Sequence, residues 1–450
     1  MVKSKFTFYF RPEPYKLLMY NSLRGTSSFI KFYGDDVAIV EECINNPDKY
    51  SKEKVFKVME QYGMIVPADI DEEAICAPIS WKRIFDSCLT LIVMPTEDCN
   101  FRCSYCYESH KKGVMKKHTV DAIVKYVGKN ISSHTELRVV WFGGEPLMST
   151  DTIEIIKTLS DKLMKICSCA RKKYSAEIIT NGYNLSLSVF EELLRCKVFS
   201  YQITIDGTAS THDKQRFLNN HEKTHDVIIS NLMNIKCNCK KQYFSVVIRT
   251  NITLEMEDSL IEHYTELSEK FSDDSRFLFF FRPVGNWGGN RVKLLCDNMY
   301  SQSSFKQVYK LLYSVQDKLQ LNFGRFSSFY DNSTCSACYE NSYIIGFDGA
   351  IYKCSCHFEE SDNKIGFLED NGTMRINNYL KNKWVNAPLL KNSCKDCFFV
   401  PVCSNMACPI YTNGIKTGFD GIDDCPYEKR YIKETLLLLE NNGFFKTITI

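Results

Sequence analysis

The chain has 450 residues, of which 56 are basic and 54 acidic, for a net charge of +2. So even a balance sets up no global field for nucleic acid or an anionic membrane, and the length exceeds one ordinary core and implies two to three domains. Twenty-one cysteines in a large chain that is 44% hydrophobic and has no export signal indicate metal or cluster ligation rather than a disulfide scaffold. No apolar run approaches the roughly 18 residues a membrane span needs, so the expected location is the cytoplasm, with neither nucleic acid nor membrane as partner.

Residues 6–10, 17–21 and 28–32 have the pattern of short strands, and residues 37–44 and 52–62 that of helices. With Gly63-Met64-Ile65-Val66-Pro67 they make a small N-terminal domain, 1–87, whose acidic, proline-punctuated stretch 67–78 has the character of a linker. From residue 89 the pattern changes to strand, loop, helix. Short apolar runs at 89–94, 137–142, 176–179, 201–205, 245–248 and 277–281 suit buried parallel strands. Amphipathic helices fall between them at 120–129, 151–166 and 189–196, the last opened by Ser188 with Glu191 at capping-box spacing. Six such units in about 200 residues predict an α/β fold, a partial (β/α)6 TIM-like barrel over residues 88–300. A cysteine-rich domain, 301–430, and a C-terminal helix and tail, 431–450, complete the expected organisation.

The unusual residues cluster after the strands. Cys99, Cys103 and Cys106 lie in Glu97-Asp98-Cys99-Asn100-Phe101-Arg102-Cys103-Ser104-Tyr105-Cys106-Tyr107. An iron–sulfur cube normally takes four thiolates, so a loop with three leaves one iron open, as catalytic metal sites require. Gly143-Gly144-Glu145-Pro146, Thr180-Asn181-Gly182 and Asp206-Gly207 also follow predicted strands. In a barrel those loops share one face, where active sites are built. Gly143 and Gly144 allow close backbone approach and leave carbonyls free for an ammonium group, Glu145 adds an anionic acceptor, and Thr180 and Asn181 offer short polar side chains for a ribose. Tyr105 puts an aromatic surface where an adenine can pack. The competing reading is half of a zinc site or ordinary buried thiols.

The spacing C-x3-C-x2-C, with an aromatic before the last cysteine, resembles the signature of the radical S-adenosylmethionine enzymes. That resemblance implies a 4Fe-4S cluster on Cys99, Cys103 and Cys106 whose open iron is chelated by S-adenosylmethionine, with the Gly-Gly-Glu-Pro turn on the methionine amino group. The stretch Asp206-Gly207-Thr208 with His212, Asp213 and Arg216 is similar to a family segment whose arginine pairs with the methionine carboxylate, a role suited to a bidentate guanidinium.

Nine cysteines follow Tyr330: Cys335, Cys338, Cys354, Cys356, Cys394, Cys397, Cys403, Cys408 and Cys425. Their order is similar to the SPASM extension, which holds two auxiliary 4Fe-4S clusters, making three in all. The resemblance implies one cluster on Cys338, Cys354 and Cys408 and another on Cys394, Cys397, Cys403 and Cys425. Cys335 or Cys356 completes the first, or one of its irons is open. Four residues separate Cys403 from Cys408 where the family usually has three. A pair of structural zinc sites is the alternative.

Sulfatase-maturing relatives begin close to their radical cysteines and carry a catalytic acid directly after the cysteine matched by Cys354. Here Ser355 stands at that position and nearly a hundred residues precede Cys99. The N-terminal domain instead resembles the winged-helix recognition element of ribosomal-peptide maturases, whose edge strand pairs with a leader peptide. The implied protein is a peptide maturase that forms a 5′-deoxyadenosyl radical and abstracts hydrogen from a precursor-peptide carbon. A neighbouring side chain, a cysteine thiolate first, then bonds to that carbon to give a thioether, and the auxiliary clusters accept the leftover electron or hold the thiolate. Its partners are a precursor peptide with a leader and a donor such as a flavodoxin or ferredoxin. A carbon–carbon or carbon–oxygen crosslink, epimerisation, and a zinc- or cluster-bearing binding or electron-transfer protein are the other readings.

Overall fold

The computed structural model describes residues 1–75, 87–285, 296–300, 306–308, 310–312, 318–319, 321, 335–358, 361–385, 396–403, 427–441 and 443–450. Cys394, Cys408 and Cys425 lie outside them.

The N-terminal domain begins with β1 (Val2–Lys3), β2 (Thr7–Glu13), β3 (Lys16–Asn21) and β4 (Ile30–Tyr33), followed by α1 (Asp36–Asn45), α2 (Lys54–Gln61) and β5 (Ile65–Val66). Strands β2, β3 and β4 form an antiparallel sheet. Alternation along β3 explains how it is covered on both sides. Leu17 and Met19 join a core with Val37 and Val40 of α1 and Val55 and Met59 of α2, whereas Leu18 and Tyr20 join one with Phe399 and Val402. The stretch expected as a linker from residue 67 is tied down at its start, because the buried Glu72 carboxylate accepts from Ser4 Oγ at 2.5 Å and Lys5 N at 2.8 Å.

The central sheet follows the expected rhythm. Its strands are β6 (Cys88–Val93), β7 (Glu136–Trp141), β8 (Lys173–Thr180), β9 (Val198–Thr204), β10 (Ser245–Ile252) and β11 (Phe277–Pro283), parallel and hydrogen-bonded in sequence order. Between them run α3 (Lys117–Asn130), α4 (Thr150–Cys169), α5 (Leu187–Arg195), α6 (Ala209–Gln215), α7 (His225–Asn238) and α8 (Leu260–Phe271). Leu89, Leu91 and Val93 with Leu137, Val139 and Trp141 join helix residues such as Ile123, Ile156 and Leu159 in one large core. The alternate residues Ile92, Met94, Val140 and Phe142 form a separate cluster with Ile344 and Tyr352.

One expectation is corrected. Helix α5 is capped by Ser186, which accepts from Val189 N, so Ser188 lies inside the helix; the capping box is at Ser149 and Thr152, opening α4. The six parallel strands form one side of a longer open sheet. Beyond β6 the sheet continues into β12 (Ser342–Ile345), parallel to β6, and then through β13 (Ala350–Tyr352), β14 (Lys364–Leu368) and β15 (Met374–Ile376), all antiparallel. Helix α9 (Asn378–Val385) follows.

Near the C-terminus, α10 (Ile432–Asn441) lies against the far face of the N-terminal sheet through Leu436 and Leu439, and β16 (Lys446–Thr447) pairs in parallel with β4. Glu440 is salt-bridged to Lys16 at 2.6 Å and to Lys31 at 2.7 Å. The tail is thus built into the N-terminal domain, 416 residues away in sequence where Lys446 pairs with Ile30.

Candidate active site

Every loop singled out in the sequence leaves the C-terminal end of a parallel strand, and hydrogen bonds join the loops to one another. The cysteine loop follows β6. Its backbone is stitched to the segment after α6: Arg102 N donates to Phe217 O at 2.9 Å, Ser104 N to Gln215 O at 2.9 Å and Asn219 N to Asn100 O at 3.0 Å. Cys99 is buried, while Cys103 and Cys106 are half-buried. Burial, with the nearby Glu145, Cys103 and Cys106 charges, pushes the Cys99 thiol well above its ordinary range. Cys106 Sγ lies 3.4 Å from His110 Nε2.

The turn after β7 is pressed onto the start of this loop. Gly143 has φ +113°, and a Cβ there would stand 2.2 Å from Thr96 O; one on Gly144 would stand 2.3 Å from Asp98 O. Only glycine permits that approach. Glu145 N donates to Asp98 O at 3.0 Å. The Glu145 carboxylate, 1% exposed, accepts from Thr180 Oγ1 at 2.5 Å, Asn181 N at 2.6 Å and Leu147 N at 2.8 Å. Burial raises its pKa against those three donors. The acceptor expected to face an ammonium group is therefore turned inward, where it holds the β7 and β8 loops in register. Thr180 and Asn181 are both buried, and Asn181 Nδ2 donates to Asn100 Oδ1 at 2.8 Å, closing the ring of loops back to the cysteines.

Opposite them, Tyr105 acts as a hub. Its hydroxyl donates to Asp206 Oδ2 and accepts from Arg216 Nη1 at 2.7 Å and Asn251 Nδ2 at 3.1 Å. Asp206 also accepts from Asn251 N at 2.6 Å. Burial pushes the Asp206 carboxyl up, opposed by Arg216 and Tyr105. His212 Nδ1 accepts from Asp206 N at 3.1 Å and its Nε2 faces Thr224 Oγ1 at 3.1 Å, so the proton sits on Nε2; burial and Arg216 keep the ring neutral. Asp213 receives Thr224 N at 2.9 Å and His225 N at 3.0 Å. Arg216 is not a surface group: it is 7% exposed, and its Nε has no hydrogen-bond partner. A buried, charged guanidinium with an unused N–H is what an anionic ligand would complete.

Three residues that sequence reasoning passed over also belong here. Asn100 and Asn251 fasten the loops, as above. Glu108, two residues beyond Cys106, has its carboxyl raised to about 8 by burial and by the charges of Glu97, Cys356 and Glu145.

The C-terminal thiols approach the same region. Cys338 lowers Cys335 to about 7 by hydrogen bonding to it, Cys354 does the same for Cys356 in direction, and the Cys335 charge reaches Cys354 and Cys356. Tyr107 hydrogen-bonds Cys356, so this thiol touches the loop of Cys99, Cys103 and Cys106 itself. Lys353, 1% exposed, donates to Tyr339 O at 2.6 Å and Ser342 O at 2.8 Å beside these thiols. Cys397 and Cys403 are half-buried at the margin of the Leu18 and Phe399 core. Among the described residues no three His, Cys, Asp or Glu side chains are drawn together ready to hold a metal ion. Nor does any described helix have the length and apolarity to cross a membrane.

Several known proteins are similar to this chain. Residues 93–264 match the model of the Radical SAM superfamily. A Cysteine-type anaerobic sulfatase-maturating enzyme from Clostridium novyi is 22% identical over 346 residues, 70% of this chain and 86% of that protein. Among solved structures, native anSMEcpe with bound AdoMet and Cp18Cys peptide superposes with a TM-score of 0.57 at 16% identity, over 79% of this chain and 97% of that one. Streptococcus suis SuiB bound to precursor peptide SuiA superposes with a TM-score of 0.50 at 14% identity, over 94% of this chain and 99% of that one.

Proposed function

Because residues 93–264 form a radical SAM domain, we propose that the chain is a radical S-adenosylmethionine maturase acting on a ribosomally made precursor peptide. The observation that carries this is the placement of three thiols on the loop after β6, between the Gly143-Gly144 turn and the buried, incompletely satisfied Arg216. When bound there, a 4Fe-4S cluster and S-adenosylmethionine would supply reductive cleavage to methionine and a 5′-deoxyadenosyl radical. Cys99, Cys103 and Cys106 would hold the cluster. Carbonyls of the Gly143-Gly144 turn would accept from the ammonium group, the Arg216 guanidinium would pair with the carboxylate, and Thr180 and Asn181 would stand beside the ribose. Tyr105 fixes the guanidinium through its hydroxyl, and Glu145 fixes the turn through its three donors. The burial of these groups keeps water from the reacting atoms.

The peptide substrate is supported by two relatives whose structures contain one, anSMEcpe and SuiB. The likeness to SuiB reaches 94% of the chain and so takes in the N-terminal domain, whereas that to anSMEcpe reaches 79%. Ser355 after Cys354 and the N-terminal domain favour a crosslinking maturase over sulfatase maturation, with a cysteine thioether as the bond formed. Cys335, Cys338, Cys354 and Cys356, gathered in two hydrogen-bonded pairs, are the candidate ligands of one auxiliary cluster, together with Cys408; Cys394, Cys397, Cys403 and Cys425 would hold the other.

The test is Cys103→Ala in the anaerobically reconstituted protein. It abolishes both 5′-deoxyadenosine release and peptide modification; retained cleavage refutes the assignment. On a candidate peptide, loss of two hydrogens marks a crosslink and unchanged mass with solvent isotope uptake marks epimerisation.

A further inference from the structure

We propose that Asn363 is a positioning residue for an auxiliary iron–sulfur cluster: its side-chain amide fixes the turn of Cys354 and Cys356, and Lys353 joins that turn to the one that carries Cys335 and Cys338. That a cluster sits on these thiols rests on the maturase reading above; the bracing itself does not.

Asn363 stands directly before β14, where the ladder between β13 and β14 gives out. Tyr352 and Lys364 are the last partners there, beside an irregularity at Ile351 and Tyr352, and Lys353 N reaches Asn363 O at 3.3 Å. The side chain then takes over from the ladder. Its Oδ1 accepts from Lys353 N at 3.1 Å and Cys354 N at 2.7 Å, and its Nδ2 donates to Cys354 O at 2.8 Å and His357 O at 2.8 Å. Two accepted and two donated bonds use the whole capacity of a carboxamide, which is here 0% exposed. All four go to the backbone of residues 353–357, the segment that contains both thiols. Aspartate lacks the two donors, and leucine of similar size offers neither kind of group. The amide is itself held from behind by α9. The neighbouring Asp362 accepts from the fully buried Trp384 Nε1 at 2.9 Å through its carbonyl and from Lys383 Nζ at 2.8 Å through its carboxylate.

Within the braced turn Cys356 N donates to Cys354 Sγ at 3.4 Å. Lys353 carries the bracing to the other pair. Its main-chain N is on Asn363, while its ammonium donates to the carbonyls of Tyr339 and Ser342, which follow Cys338; Cys338 N in turn donates to Cys335 O at 2.9 Å. One amide and one ammonium thus join the two cysteine turns through the backbone, and no thiol is consumed in doing so. Groups that orient metal ligands from behind govern affinity by about 10- to 100-fold, and hydrogen bonds to the sulfurs set a cluster's reduction potential. An N–H aimed at Cys354 Sγ favours the reduced, more negative state of a cluster bound there.

The experiment uses the full chain carrying Cys99→Ala, Cys103→Ala and Cys106→Ala, so that iron and sulfide report on the C-terminal thiols alone. After anaerobic reconstitution, adding Asn363→Leu removes about half of that iron, one cluster of two, and any fraction still loaded has a midpoint potential, followed by EPR, more negative than the parent's. Asn377→Ala is the comparison. Asn377 Oδ1 caps α9 in the same domain, accepting from Tyr379 N at 3.0 Å and Leu380 N at 3.2 Å, and its loss leaves iron content and EPR signal unchanged. Unchanged iron and potential in Asn363→Leu overturn the proposal, and so does an equal loss in Asn377→Ala, which would mark general weakening of the domain. A second measurement, in iron-free protein, separates the bracing from the cluster reading. Asn363→Leu speeds iodoacetamide alkylation of the buried Cys354, mapped by mass spectrometry, by about tenfold or more, while Cys43 in the N-terminal core keeps its rate. If the parent takes up no iron–sulfur cluster but this contrast holds, the cluster reading falls and the bracing stands; if the contrast is absent, the bracing falls.

Discussion

Replacing Glu145 by glutamine separates the two roles that its carboxylate can play. In the structure both oxygens are engaged inside the protein: Oε1 accepts from Thr180 Oγ1 and Leu147 N, and Oε2 accepts from Asn181 N. Glutamine keeps one oxygen, which satisfies the first pair, and sets an NH2 against the Asn181 N–H. One hydrogen bond to a charged acceptor is lost and a buried donor is left unpaired, a cost of about 2–3 kcal/mol. The loss is local, so hydrogen exchange followed by mass spectrometry is the suitable assay. Opening of residues 142–148 and 180–184 becomes easier by that amount, and their amides exchange about 30- to 150-fold faster. Tryptophan emission gives a second readout, since the fully buried Trp141 ends the strand that leads into the turn. If both segments exchange within threefold of the parent, the three bonds contribute little and the inward-facing role assigned to Glu145 is wrong.

Other outcomes follow from the same geometry. Gly144→Ala brings a methyl against the backbone of Asp98 and displaces the cysteine loop, at about 1–3 kcal/mol, lowering iron and sulfide per chain after reconstitution. Gly128→Ala in α3, where nothing lies within 4 Å of the added carbon, retains full loading. Tyr105→Phe removes the hydroxyl that Arg216 Nη1 and Asn251 Nδ2 donate to; it raises the KM for S-adenosylmethionine about tenfold, about 1.4 kcal/mol, more than it lowers kcat. His263, 1% exposed, is held by burial at about 3, below the ordinary value of about 6.5 in the unfolded chain. The unfolded state thus binds the proton first, and the stability from this residue is complete above about pH 6.5 and declines as pH falls toward 3. The expected loss is about 2 kcal/mol by pH 5, absent in His263→Gln when urea midpoints at the two pH values are compared.

The six parallel strands were legible because each is a short apolar run bounded by turn residues, which is how a strand buried on both faces must look. Their observed ends extend those runs by a few residues into polar positions, such as Glu136 and Lys173, where the ladder continues after the apolar pattern stops. The cap of α5 was misplaced because Ser186 and Ser188 are both competent. Ser188 has the glutamate at the favoured spacing, yet the helix starts at Leu187, which packs on the main core. The inward direction of Glu145 and the burial of Arg216 follow from loop-to-loop contacts between residues far apart in sequence, for which no local pattern exists. The same holds for β16, whose two-residue pairing with β4 carries no periodicity of its own.

The shared core around Leu18, Tyr20 and Phe29 has a consequence for biosynthesis. Its other half is Phe399, Val402, Leu436, Leu439 and Phe445. At about 5–20 residues per second a ribosome needs on the order of 20–70 s between making Phe29 and making Phe399. Throughout that interval an aromatic face of the first sheet stands uncovered. The domain synthesised first is thus among the last to be finished, and a nascent chain stalled in its middle would expose that face to chaperones.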